Sequence, residues 1–207
     1  IFNSAVVADG DHYTGIFRVD YRDGKPRLHL GHSRDAISWD IEHDNISWQN
    51  EAGEPVQNSY AYDPRLVNIE GVHYITWCDD FPGACIGLGR SDDFKTFVKM
   101  EHPLMPFNRN GVLFPRRING EYALLSRPSD SGHTPFGDII VSRSPDLNYW
   151  GKHRLVMKKG GSGWWQSTKI GAGPIPIETP EGWLLLYHGV TETCNGLVYS
   201  IGAALLD

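Results

Sequence analysis

Asp63 lies directly before Pro64 and Arg65, at the start of a segment that is predicted to be a buried strand. An aspartate before a proline often only shapes a turn, but other polar residues stand at comparable places in the chain. They are Asn3, Ser4, Arg109, Asn110 and Lys169 at the start of a strand, and Arg18, Asp79, Arg127 and His188 near the end of the next strand. If these places converge in the fold, Asp63 is a carboxylate that faces Arg, Lys, His and Asn side chains.

Cationic and amide donors that converge on one point are typical of a phosphate site, because Arg makes forked contacts with oxyanions and Lys supplies a point charge. A carboxylate beside them could act as a general acid. Inverting cleavage of a glycosidic bond normally uses a second carboxylate to activate water. Phosphate is already an anion and needs no such base, so the set favours an inverting phosphorylase.

A repeated turn indicates which elements position these residues. The segments "SRDAISW" (33–39), "SDDFKTF" (91–97) and "SPDLNYW" (144–150) all fit Ser-x-Asp-x-x-x-Trp/Phe, and their serines are 58 and 53 residues apart. The Ser and Asp can hydrogen-bond local backbone amides, so we assign them to structure. A period of about 50 residues with about four strands is typical of a β-propeller blade.

The predicted secondary structure is all-β, because short runs rich in Tyr, Val, Ile, Trp and Phe alternate with Gly, Pro, Asn and Asp. The predicted strands are 12–19, 27–33, 73–78, 85–91, 121–127, 138–144 and 182–189. A β-sandwich with coincidental turns is the alternative, and three matched turns argue against it. In a propeller the innermost strands line one channel, so we expect the polar residues of successive blades to share one pocket.

The composition limits the possible partners. The 207-residue chain carries a formal net charge of −6, and it has no long run of Lys or Arg. Both facts argue against nucleic acid and an anionic membrane surface. No apolar run is long enough to cross a bilayer. Cys78, Cys85 and Cys194 have no metal-like spacing, so we predict free thiols and neither a disulfide framework nor a metal site. A small or neutral partner is expected.

Four segments resemble glycoside hydrolase family 130, the mannoside phosphorylases. They are "YDPR" (62–65), "FNRNGVLFPRRINGEYALLSRP" (107–128), "TKIGAGPIPI" (168–177) and "GWLLLYHGV" (182–190). Four others are similar to the branch that phosphorolyses 4-O-β-D-mannosyl-D-glucose. These are "NSAVV" (3–7), "FRVD" (17–20), "YITWCDD" (74–80) and "SRPSDSGHTPFGDI" (126–139). The resemblance covers essentially the whole chain.

The resemblance implies a five-bladed propeller, of which residues 1–207, a single catalytic domain, supply about three and a half to four blades. Because a closed propeller has no free edges, we expect the chain to be a fragment of a longer protein. The implied reaction is attack by inorganic phosphate on a β-mannosyl unit, with inversion to α-D-mannose 1-phosphate and release of glucose. Phosphate is then a co-substrate, and no cofactor or metal is implied. We expect a cytoplasmic enzyme, since phosphorolysis conserves bond energy as a sugar phosphate, and homo-oligomer formation stays open.

The match to the family's segments implies that Asp63 is the catalytic acid, acting through a substrate hydroxyl as a proton relay. The implied phosphate-binding residues are Arg109, Asn110, Arg127, Lys169 and His188. The residues matched to saccharide-binding positions are Asn3, Ser4, Arg18, Tyr62 and Arg65. We add His133 as the residue predicted to select the leaving sugar. The family's hydrolases lack much of this cationic set, so its presence favours phosphorolysis.

Two other functions stay open at this point. A hydrolase of the same family would use water, with a second carboxylate in place of part of the cationic set. A non-catalytic propeller would bind glycans without turnover, so its binding would survive the loss of Asp63. The leaving sugar is also open, because glucose, mannose and N-acetylglucosamine differ at positions contacted by loops rather than by the repeat.

Overall fold

The computed structural model describes residues 2–81, 83–129, 137–160 and 164–207. Within these residues it contains strands and turns but no α-helix, so the predicted all-β class is confirmed. The chain divides into two compact units, Ile1–Pro103 and Leu104–Asp207. None of the described residues forms a helix of the length and apolar character that a bilayer crossing requires.

In its described residues, the first unit contains ten strands in two sheets. The strands are β1 (Phe2–Asp9), β2 (His12–Asp20), β3 (Pro26–Ser33), β4 (Asp40–Asn45), β5 (Trp48–Gln49), β6 (Pro55–Val56), β7 (Tyr62–Ile69), β8 (Val72–Asp79), β9 (Cys85–Ser91) and β10 (Phe97–Lys99). One sheet has the order β1-β2-β3-β4, and the other has the order β6-β5-β10-β9-β8-β7. Strands β1 to β4 and β7 to β10 are therefore two four-stranded antiparallel meanders, as expected of propeller blades.

The described part of the second unit contains eight strands in two sheets. They are β11 (Asn108–Leu113), β12 (Tyr122–Pro128), β13 (Ile139–Ser144), β14 (Gly151–Met157), β15 (Lys169–Ala172), β16 (Ile177–Thr179), β17 (Gly182–Thr193) and β18 (Gly196–Leu206). The first four form a third antiparallel meander in chain order. In the last sheet, β15 and β16 pair with successive parts of one edge of β17, and β18 pairs along its other edge. Each of the seven strands predicted from the sequence matches one of these elements, and two of them, 121–127 and 138–144, begin one residue before the observed strand.

The three repeated turns share one hydrogen-bond pattern. In the first turn, Ser33 Oγ accepts a bond from the Ala36 amide at 2.9 Å. Asp35 Oδ1 accepts bonds from the amides of Ile37 and Ser38 at 2.8 and 2.7 Å, and these bonds lower the pKa of that carboxyl. The same bonds recur in 91–97 and 144–150. The structural role predicted for the Ser and Asp of the repeat is therefore confirmed.

Each unit has its own apolar core. In the first unit the core includes Trp48 and Trp77, whose ring centroids lie 4.6 Å apart. Glycines on β9 make room for these indoles: a Cβ on Gly87 would lie 2.0 Å from Trp77, and one on Gly89 would lie 2.2 Å from Trp48. Packing at this density fixes the register of the sheet, because a shift by one residue would turn the glycines away from the rings.

The cysteines behave as the sequence predicts. All three are free thiols. Cys78 and Cys85 are buried, and burial raises the pKa of Cys85 to about 12. That thiol is therefore unreactive at neutral pH, since the thiolate is the nucleophilic form.

Candidate active site

Three β-bulges place polar residues at the start of an edge strand of a sheet. The pairing register shifts by one residue after Phe2 on β1, after Tyr62 on β7 and after Arg109 on β11. The residue that follows each of these positions has a left-handed backbone, although none is glycine. These residues are Asn3 (φ 51°), Asp63 (φ 50°) and Asn110 (φ 54°). Left-handed non-glycine residues in bulges carry strain and are enriched at functional sites, and all three are candidates from the sequence.

In the first unit, Asp63 on β7 accepts hydrogen bonds from two donors in the other sheet, one on β1 and one on β2. Asn3 Nδ2 donates to Asp63 Oδ1 at 2.7 Å, and Arg18 Nη1 donates to the same oxygen at 3.0 Å. The structure thus brings Asp63 together with Asn3, 60 positions away in the chain, and with Arg18, 45 positions away. Because Oδ1 already faces two N–H donors, the proton of the acid form has its place on Oδ2.

Arg18 is clamped by a second carboxylate, Asp20. Its Nε and Nη2 donate to the two oxygens of Asp20 at 2.8 and 3.1 Å, which leaves Nη1 directed at Asp63. Burial opposes the charge of Arg18, but the bonds to Asp20 and Asp63 outweigh it and raise its pKa. The sequence reasoning did not select Asp20. Its spacing of two from Arg18 on one strand, which places both side chains on the same face, was the available signal.

Two of the remaining saccharide-binding candidates of the first unit, Tyr62 and Arg65, contact this group of residues. The Arg18 guanidinium carbon lies 5.1 Å from the centroid of the Tyr62 ring. Arg65 Nη1 donates to the backbone carbonyls of Asp63 and Pro64 at 3.1 and 2.9 Å. Burial lowers the pKa of Arg65. Arg65 therefore stabilises the backbone of the bulge that carries Asp63. Ser4 is exposed.

In the second unit, Arg127 on β12 and His188 on β17 form a pair between two different sheets. Arg127 is 5% exposed, and its Nη1 lies 3.2 Å from His188 Nε2 and 3.4 Å from the carbonyl of Ile170. A guanidinium can only donate, so His188 Nε2 is the acceptor and the imidazole carries its proton on Nδ1. This pair therefore combines a buried positive charge with a neutral ring.

Lys169 lies on β15, next to β17, which carries His188. Its Nζ is 5.9 Å from the centroid of the Tyr199 ring, and the His188 ring centroid is 5.8 Å from the same ring. Tyr199 was not selected from the sequence, because its place beside these residues depends on the pairing of β18 with β17. Arg109 is paired in register with Arg127, and Asn110 is 8% exposed. His133 lies outside the described residues.

The structure shows why Asp79 differs from the other residues at comparable places. The register pairs Phe2 with Arg18 and Arg109 with Arg127, but it pairs Tyr62 with Cys78, so the equivalent position in the second sheet is Cys78 and not Asp79. The sequence comparison was therefore wrong by one residue there. The reason is that a repeat pattern aligns whole strands, whereas the bulge decides which residue faces which.

Asp79 instead belongs to a buried charge cluster. It is 4% exposed, and its Oδ2 accepts bonds from Lys99 Nζ at 3.3 Å and from His102 Nε2 at 3.4 Å. The Asp80 amide donates to Oδ1 at 2.8 Å. Burial would raise the pKa of Asp79, but the bonds from His102 and Lys99 outweigh it and lower the pKa to about 2. Within the described residues, no group of three or more His, Cys, Asp or Glu side chains is arranged to hold a metal ion.

Comparison with known proteins places the chain in a family. The sequence model of glycoside hydrolase family 130, described as beta-1,4-mannooligosaccharide phosphorylase, matches residues 1–207. The beta-1,4-mannooligosaccharide phosphorylase of Ruminococcus albus is 53% identical over all of this chain and 63% of its own length. The 4-O-beta-D-mannosyl-D-glucose phosphorylase of Bacteroides fragilis is 34% identical over 95% of this chain and 54% of its own length. The chain thus spans less than two thirds of these relatives.

A solved structure shares the fold. The beta-1,2-mannobiose phosphorylase of Listeria innocua, in complex with beta-1,2-mannobiose, superposes with a TM-score of 0.83 at 24% identity. The match covers 100% of this chain and 71% of that chain. The predicted propeller fold is thereby confirmed.

Proposed function

This chain belongs to glycoside hydrolase family 130, and from that premise we propose that the protein catalyses the inverting phosphorolysis of a β-1,4-mannosidic bond. A phosphate oxygen forms a bond to the anomeric carbon of the mannosyl unit while the bond from that carbon to the leaving sugar breaks. The products are α-D-mannose 1-phosphate and the released sugar. Inorganic phosphate is the co-substrate, and the reaction uses no other cofactor.

In this reaction Asp63 supplies the proton that the leaving oxygen needs. Asn3 and Arg18 hold Oδ1, so Oδ2 delivers the proton, through a hydroxyl of the substrate. Solvent returns a proton to Asp63 after product release. The same two donors, with Ser4 and Tyr62, lie where the mannosyl unit would bind, and Arg65 keeps the bulge in place. His133, which lies outside the described residues, stays a sequence-based candidate for selecting the leaving sugar.

The second unit binds the phosphate. Arg127 and Lys169 supply positive charge, and Arg109, Asn110 and His188 supply further donors. The observation that carries the proposal is the buried Arg127, which is 5% exposed and is held by His188 and by the carbonyl of Ile170. A guanidinium gives forked hydrogen bonds to an oxyanion such as phosphate. Arg127, fixed in place by these contacts, therefore suits a phosphate site.

The first unit disfavours the hydrolase alternative. Hydrolysis with inversion requires a second carboxylate to activate water. Besides Asp63, Arg18 binds a second carboxylate, Asp20, and both oxygens of Asp20 accept bonds from Arg18. Asp20 is thus placed to orient a guanidinium, and phosphate as the nucleophile needs no base.

The leaving sugar is a second part of the proposal. The 53% identical relative is named for β-1,4-mannooligosaccharides, and the 34% identical relative is named for 4-O-β-D-mannosyl-D-glucose. Both names describe a β-1,4-linked mannosyl unit. We therefore assign the bond to this class, and 4-O-β-D-mannosyl-D-glucose and β-1,4-mannobiose are the two substrates to compare.

The deciding experiment uses the protein at its full natural length. It is incubated with each of the two substrates, with and without inorganic phosphate, and the products are identified by NMR. The proposal expects α-D-mannose 1-phosphate only when phosphate is present. Free mannose at equal rates with and without phosphate would show a hydrolase. Saccharide binding without any turnover, unchanged in Asp63→Asn, would show a non-catalytic binding propeller.

A further inference from the structure

Gly171 lies on β15, directly under the side chains of Arg127 and His188. A Cβ placed on Gly171 would lie 2.6 Å from His188 Cε1, 2.8 Å from His188 Nε2 and 2.8 Å from Arg127 Nη1. Real Cβ atoms essentially never make contacts under 3.0 Å. The space that both polar side chains occupy therefore exists because residue 171 has no side chain.

Backbone conformation does not explain this glycine. The φ angles of Gly10, Gly24 and Gly196 fall in the left-handed range, and glycine is favoured there for that reason alone. Gly171 has no positive φ, so its backbone is one that any residue can adopt. Nor is it pressed against backbone, as Gly173 is, where a Cβ would meet the carbonyl oxygen of Leu186 at 2.8 Å.

We propose that Gly171 is a positioning residue for phosphate binding: its missing side chain lets Arg127 and His188 lie side by side, hydrogen-bonded, against β15. The inference rests on the proposed function, since it assigns the pair to the anion site. It goes further by stating what sets the geometry of that site. Glycine within a strand often marks a close approach of this kind.

The contacts around Arg127 show which hydrogen bonds would be disturbed if the pair moved aside. Its Nη1 binds both His188 Nε2 and the carbonyl of Ile170, the residue before Gly171. A methyl group on residue 171 would therefore push at the atom that joins the three groups. Because the nearest atoms are the ends of side chains and not backbone, the substitution should displace the pair without unfolding the strand.

The test compares Gly171→Ala with Gly151→Ala. Gly151, at the start of β14, has nothing within 4 Å of its added Cβ and has no positive φ, so it is a matched control in the same unit. Titration calorimetry with inorganic phosphate should show affinity about 10- to 100-fold weaker in Gly171→Ala, the range for losing bonds to a charged group. The KM for phosphate should rise in parallel, the KM for the mannoside should change less than about twofold, and Gly151→Ala should match the wild type.

A double-mutant cycle checks that the effect acts through the imidazole. Two of the three nearest atoms belong to His188, so Gly171→Ala should weaken phosphate binding much less in a His188→Ala background. Equal effects in both backgrounds would overturn the inference, as would phosphate binding by Gly171→Ala within twofold of the wild type.

NMR of histidine-labelled protein separates this inference from the proposed function. The wild-type His188 ring should show the Nδ1–H tautomer with Nε2 as acceptor, and Gly171→Ala should shift its signals. If the wild type neither binds phosphate nor forms mannose 1-phosphate, the proposed function fails. Shifted His188 signals would then show only that residue 171 sets the geometry of the Arg127–His188 pair, and unchanged signals would overturn the inference in either case.

Discussion

Replacing Asp79 by asparagine should destabilise the protein by an amount that depends on pH. The pKa of this carboxyl falls from an ordinary value of 3.8 to about 2 in the folded protein. Since each unit of pKa corresponds to about 1.36 kcal/mol, ionised Asp79 contributes about 2.5 kcal/mol to the free energy of unfolding at neutral pH. The bonds from Lys99 and His102 supply this stabilisation against the cost of burial.

The sign of the pH dependence follows from the lowered pKa. The stabilisation is complete above the pKa of the unfolded chain, and it is lost as the pH falls from about 4 through the folded pKa of about 2. At pH 3 about half of it should remain by the same relation. Asparagine cannot ionise, so the stability difference between the wild type and Asp79→Asn should shrink as the pH falls.

Urea unfolding followed by tryptophan fluorescence at pH 7 and pH 3 measures this difference. The fluorescence of Trp77 is sensitive to this site, because Trp77 Nε1 lies 3.4 Å from Asp79 Oδ2. Asp80→Asn is the matched control, since Asp80 is exposed and only its backbone amide binds Asp79. We expect it to change stability by less than about 0.5 kcal/mol. A destabilisation of Asp79→Asn below about 0.5 kcal/mol, or one that is equal at both pH values, would refute the reasoning.

Four further predictions concern the site and the core. Asp63→Asn should keep phosphate and mannoside binding by calorimetry but lose about 100- to 10,000-fold in turnover, the usual worth of a general acid, and turnover within tenfold of the wild type would exclude that role. Lys169→Ala should raise the KM for phosphate about tenfold or more through loss of a charged donor, whereas an equal rise for the mannoside would argue for general damage. Gly87→Ala should lower the free energy of unfolding by about 3 kcal/mol, because its Cβ would lie 2.0 Å from Trp77. An unchanged midpoint of urea unfolding would contradict this tight packing of Trp77 on Gly87. Dialysis against a chelator should leave turnover unchanged, and recovery of lost activity by an added divalent ion would reveal a metal requirement.

The sequence by itself determined the strands, the repeat and the repeated turns. The turns could be predicted because their hydrogen bonds join residues two or three positions apart, as between Ser33 and Ala36 or between Asp35 and Ile37. The repeat also picked out Asn3, Asp63 and Asn110 as comparable residues. Local periodicity contains this information, because side-chain direction alternates along a strand and turn residues have fixed offsets.

Only the tertiary structure decided how those residues face one another. Bulges after Phe2, Tyr62 and Arg109 shift the register, and this shift replaces Asp79 by Cys78 as the residue opposite Tyr62. The place of Tyr199 beside Lys169 depends on the pairing of β18 with β17, and the approach of Arg127 to Gly171 depends on the packing of two sheets. Each of these contacts depends on the exact register between strands or on the direction of a side chain, and a pattern of residue types along the chain contains neither.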